Sequence, residues 1–94
     1  MINYLLHLIR IFSDKSLSDL SIMFGVSTSY LSQLEKGEKK VSLKVLEYYS
    51  VFYNISPATA LKLAEENKTE IELRRAYIKY LYVKYISEEL SNGL

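Results

Sequence analysis

The chain is predicted to be all-α, five short helices followed by one long one, and three observations carry that prediction. Apolar residues recur at three- and four-residue spacing from end to end, and no stretch alternates as a half-buried strand would. Each change of rhythm is marked by a serine or threonine before a helix and, at several ends, by a glycine or asparagine after it. One proline and three glycines in 94 residues leave room only for short connections. No internal repeat is visible.

Taken in order, Ile2, Leu5, Leu6, Ile9 and Phe12 share one face of a first helix, residues 2–13. Tyr4, Leu8 and Ile11 lie off that stripe and need cover from elsewhere. Ser16 opens a second helix, where its hydroxyl can accept from the amide of Asp19 and Asp19 can answer in a capping box. Leu17, Leu20, Met23 and Phe24 form its inner face, and Gly25 supplies a left-handed stop. Ser27 caps a third helix, 28–36, closed by Gly37. After the loop "EKK", Ser42 caps a fourth helix that runs to Tyr53, with Asn54 able to take the left-handed position. Ser56 and Pro57 are a cap followed by proline at the first helical position, so a fifth helix covers 57–66. Thr69 and Glu72 make another capping box, and the last helix runs from Glu70 to about Leu90.

The length suits a single core, divided here into residues 1–67 and a C-terminal helix, 68–94, for packing and dimerisation. A hydrophobic fraction of 49% is that of a folded chain and argues against disorder. With no cysteine, disulfides and thiolate metal sites are excluded, which fits a reducing cytoplasm. The run "MINYLLHLIRIF" is interrupted by Arg10 and falls far short of the roughly 20 residues of a membrane span. Net charge is only +1, tilted slightly: residues 1–44 carry six Lys/Arg against four Asp/Glu, and residues 45–94 six against seven. No nucleophile–base pair or ligand cluster stands out, so no enzyme, metal, cofactor or small-molecule ligand is expected.

The most informative stretch is "GVSTSYLSQLEKG", residues 25–37. On a helix starting at Thr28, the residues Thr28, Ser29, Ser32, Gln33 and Lys36 share one face, while Leu31 and Leu34 point the other way. Two helices joined by a tight glycine turn, the second with short polar side chains outside, form a helix-turn-helix. Such a face suits the DNA major groove. Gln can pair with adenine N6 and N7, Ser and Thr reach several base edges, and a Thr methyl can meet a thymine methyl.

"SLSDLSIMFGVSTSYLSQLEKG", residues 16–37, resembles the Cro/C1-type (lambda-repressor-like, XRE family) helix-turn-helix, and "VSLKVLEYYSVFYNIS", residues 41–56, is similar to that family's fourth helix and following turn. The likeness spans about residues 5–61. It implies a five-helix DNA-binding domain whose third helix reads the major groove, here with an extra long C-terminal helix. Thr28, Ser29, Ser32 and Gln33 match the base-facing positions. Lys36, Lys39, Lys40, Ser42 and Lys44 match the phosphate-facing loop and helix start, and Ser16 matches the residue whose amide end meets a phosphate. The resemblance also implies that Arg10 and Glu35 meet as an ion pair behind the motif. Three positions depart from the pattern. Leu17 stands where glutamine is frequent, Asn54 where glycine is usual, and the third helix lacks an arginine for guanine. Modest affinity per half-site follows, and with it dependence on a homodimer bound to double-stranded DNA.

His7, alone on an apolar helix with no base or ligand spaced to meet it, reads as a packed histidine. Glu65, Glu66, Glu70 and Glu72 flank a helix start, where acids favour the dipole. Most of the nine tyrosines sit in apolar company on the fourth and sixth helices and read as core or interface. On the last helix Ile71, Ile78, Leu81, Tyr82 and Tyr85 form one stripe, widened by Leu73, Ala76, Tyr77, Tyr80 and Val83. That width exceeds what one small domain covers. Part is expected on Leu8 and Ile11, and the remainder, Ile78, Leu81, Tyr82 and Tyr85, against a second copy. The reading is a bacterial or phage transcriptional regulator. Its rival is a protein-interaction module on the same fold, such as an antirepressor, an antitoxin or an inhibitor of a larger complex, which the near-neutral charge and Leu17 keep in play.

Overall fold

Four serines start four of the helices in the computed structural model, which describes residues 1–93. The elements are α1 (Ile2–Phe12), α2 (Leu17–Phe24), α3 (Thr28–Glu35), α4 (Leu43–Tyr53), α5 (Pro57–Glu66) and α6 (Glu70–Gly93). The hydroxyls of Ser16, Ser27, Ser42 and Ser56 accept from the amides of Asp19, Tyr30, Val45 and Thr59 at 3.0–3.2 Å. Each satisfies one of the amides a helix start leaves free, a contribution of about 1 kcal/mol. No strand occurs among the described residues.

Two helix ends use one device. Gly25 and Asn54 take the left-handed conformation after α2 and α4, and their amides bond the carbonyls of Ser21 and Ser50 at 2.9 Å. The hydroxyls of those serines then reach the carbonyls of Val26 and Ile55, five residues on. Asp14, also at positive φ, turns the chain between α1 and α2 without a glycine. At the start of α6 the expected box is altered. Thr69 does accept from the Glu72 amide, but the Glu72 carboxylate returns to the amide of Lys68 instead of Thr69.

The core gathers under α1, whose Leu5, Leu6, Leu8 and Ile9 are all buried. α2 adds Leu20 and Phe24, α3 adds Leu31 and Leu34, and α4 adds Val45, Leu46 and Tyr49. Each buried leucine contributes about 1.5–3 kcal/mol relative to exposure. The Phe24 ring meets Tyr49 edge-on at 4.9 Å and stacks on Tyr48 at 5.7 Å. The Tyr49 hydroxyl is buried with no hydrogen-bond partner, and that burial pushes its ionisation well above the ordinary tyrosine value.

α6 packs on α1 and α5. Its inward residues are Leu73 and Tyr77, with Tyr80 and Leu81 partly covered beside them. Two corrections to the sequence reading follow. Leu81 lies against its own core and leaves the outward stripe. Ile11 stays 50% exposed, and α6 meets α1 at Tyr4 and Phe12 instead. Arg74 donates to the Tyr4 hydroxyl at 2.8 Å, and the Phe12 ring meets Tyr77 edge-on at 5.9 Å. Further along, the Lys84 ammonium caps α4 by donating to the carbonyls of Tyr53 and Asn54, at the negative end of that helix.

Candidate nucleic-acid interface

Gly25, in the left-handed conformation, turns the chain from α2 towards α3, and Leu31 and Leu34, both buried, fix the inner face of α3. The opposite face is then obliged to be polar. Thr28 and Ser29 are exposed, and Ser32 and Gln33 are half-buried. Together with Lys36 they line one shallow depression of about 380 Å³, which Leu17 and Glu38 complete. Five of the sequence-derived positions thus come together on one surface. That surface offers three hydroxyls, an amide and one cation, edged by the Leu17 side chain and the Glu38 carboxylate.

Ser16, Lys39, Lys40, Ser42 and Lys44 lie outside that lining. All five are exposed. The Lys39 ammonium sits over the Tyr30 ring at 5.6 Å. Ser42 Oγ accepts from the Val45 amide to cap α4, which leaves its hydroxyl proton free to donate. Ser16 has both of its groups engaged, since its amide donates to Asp19 Oδ2 at 2.9 Å while its hydroxyl accepts from the Asp19 amide. The amides left for an anion at the start of α2 are those of Leu17 and Ser18. These same bonds, with Lys15 nearby, hold the Asp19 carboxyl below its usual range.

Behind α3, Glu35 sits at the unfavourable end of its helix dipole and is met by three side chains of α1. Arg10 grips it with two bonds, Nε to Oε2 at 2.7 Å and an Nη to Oε1 at 2.9 Å. The bond to Glu35 raises the Arg10 guanidinium further above its ordinary value, against the opposing effect of burial. His7 Nδ1 stands 2.7 Å from Glu35 Oε1, and because a carboxylate only accepts, that nitrogen carries the proton. Asn3 donates to the Glu35 carbonyl at 3.2 Å, closing the end of α3 beside Gly37, where a Cβ would come within 3.2 Å of the Asn3 amide nitrogen.

The reading of His7 as a packed histidine is therefore corrected: it is part-exposed and hydrogen-bonded to Glu35. Its partner is 28 residues away in sequence, so local spacing around His7 says nothing of it. The spacing of Asn3, His7 and Arg10 does carry a signal, because residues three and four apart share one helical face.

Among the described residues no cluster of His, Cys, Asp or Glu is placed to hold a metal ion, and no helix is long and apolar enough to cross a membrane. No curated protein and no solved structure matches the chain. A helix-turn-helix family model does match, over residues 9–59, which takes in the end of α1, all of α2 to α4 and the start of α5. With a two-helix motif whose polar face lies outward and whose apolar face is buried, the chain belongs to the Cro/C1-type (XRE) helix-turn-helix family of DNA-binding regulators.

Proposed function

We propose that this regulator binds a two-fold-symmetric operator as a homodimer, with residues 1–67 reading DNA and residues 68–94 packing on that unit and joining two copies. Leu94 lies outside the described residues. Thr28, Ser29, Ser32 and Gln33 contact bases. Lys36, Lys39, Lys40, Lys44, the hydroxyl of Ser42 and the start of α2 at Ser16 contact phosphates. Copies meet through the outward face of α6, at Ile78, Tyr82 and Tyr85. The observation that carries the reading is the depression in which four short polar side chains of α3 and Lys36 stand together. Small side chains let a helix approach base edges closely, and a single cation at its end supplies position rather than choice.

Leu17 and Glu38, in the same lining, favour the protein-interaction reading, since an apolar and an acidic group suit a protein surface better than a phosphate backbone. One salt series separates the two. Binding to random and selected duplex is measured from low to high salt. Affinity that falls steeply on both, with a preference surviving for the selected sequence, supports the regulator. Negligible affinity at low salt overturns it in favour of a protein partner.

A further inference from the structure

The outward face of α6 carries more information than its apolarity. At about 100° per residue, Ile71, Arg75, Ile78, Tyr82, Tyr85 and Glu89 lie within about 40° of one line along the helix. All six are exposed. Neither the Arg75 nor the Glu89 side chain has a hydrogen bond or ion pair to another described residue, whereas the Arg74 side chain is engaged with Tyr4. Charge along the line is therefore polar in the directional sense, a cation toward the start and an anion toward the end. Counted from Tyr82, Ile78 and Ile86 stand four residues away on either side, and Arg75 and Glu89 stand seven away on either side.

We infer that α6 pairs antiparallel with α6 of a second copy, about a two-fold axis at Tyr82. The inference rests on the homodimer reading above and adds its register. Antiparallel about Tyr82, Ile78 of each copy faces Ile86 of the other, and Arg75 of each faces Glu89 of the other. A depression of about 520 Å³ lined by Tyr82, Tyr85, Ile86, Glu88 and Glu89 receives the partner's apolar side chain beside these acids. A parallel pairing would set Arg75 against Arg75 and Glu89 against Glu89, two repulsions where the antiparallel one has two attractions. The surface is thus complementary to itself in one direction only, the condition for an isologous interface.

The test is charge reversal read by sedimentation equilibrium of the full chain. Both side chains are exposed on an outer helix face, so the variants keep the fold, which circular dichroism verifies. Arg75→Glu and Glu89→Arg should each weaken dimerisation by about tenfold or more, because every reversal acts twice across the axis. The double variant R75E/E89R should restore wild-type dimerisation. A dimer that neither single reversal weakens, or that the double reversal fails to restore, overturns the antiparallel register while the homodimer stands. A wild-type chain that is monomeric at micromolar concentration overturns the homodimer and this pairing with it.

Discussion

Glu35 is the side chain on which the placement of α3 turns. Its carboxylate is nearly buried, 7% exposed, and it takes bonds from both Arg10 and His7. Two donors on one acceptor make the cluster asymmetric. Glu35→Leu strands Arg10 and leaves His7 unpaired, and is expected to cost about 3–5 kcal/mol in urea unfolding. Arg10→Met leaves His7 on the carboxylate and should cost less. The double variant should lose much less than the sum, and strictly additive losses of a few tenths each would show that Arg10 and Glu35 do not act together. On the outer face the expectation for Gln33 is of another kind. Gln33→Ala should weaken binding to the preferred duplex by about 1–3 kcal/mol and leave random duplex nearly unaffected. Equal losses on both would reassign the amide to backbone contact or to structure.

Helix ends show what a sequence reveals about itself. Ser16, Ser27, Ser42 and Ser56 act on amides three residues away, so each cap is legible locally, and so is the polar face of α3, which the helical period alone defines. α6 is different. It is apolar around most of its circumference, so periodicity does not say which side is inward; Phe12 against Tyr77 and Lys84 against the end of α4 decide that, and neither contact is local. The helical period therefore sets Leu81 with the outward stripe, whereas it packs against the core. The α2 cap also gives a prediction with a sign. Asp19 is held below its ordinary value in the folded chain, so its contribution to stability is full above the unfolded carboxyl range and is lost as pH falls through the lowered folded value. Asp19→Asn should flatten that part of the stability curve below about pH 4. An unaltered acid limb in the variant would assign the pH dependence to other carboxylates.

For the whole molecule, α1 is the shared member. Asn3, His7 and Arg10 hold α3 on one side, while Tyr4 and Phe12 carry α6 on another. Truncation after Lys68 removes Leu73 and Tyr77 from the core and takes the cover of Tyr77 off Phe12, so the shortened chain should be monomeric, lower in stability and prone to aggregate. A truncated chain that dimerises as the full one does would take α6 out of the interface. The sharing of α1 has a geometrical consequence for DNA. Between the axis of a dimer joined through α6 and α3 there would be packed helix rather than slack chain, so the proposed assembly would act as a fixed gauge. One base pair added between half-sites moves them apart by about 3.4 Å and turns one relative to the other by about 35°. A jointed protein absorbs such a change in its linker, but here it would fall on the packed contacts of α1. Sites recovered from a random duplex pool should therefore share a single half-site spacing, and lengthening that spacing by one base pair should reduce binding to the level of unrelated DNA.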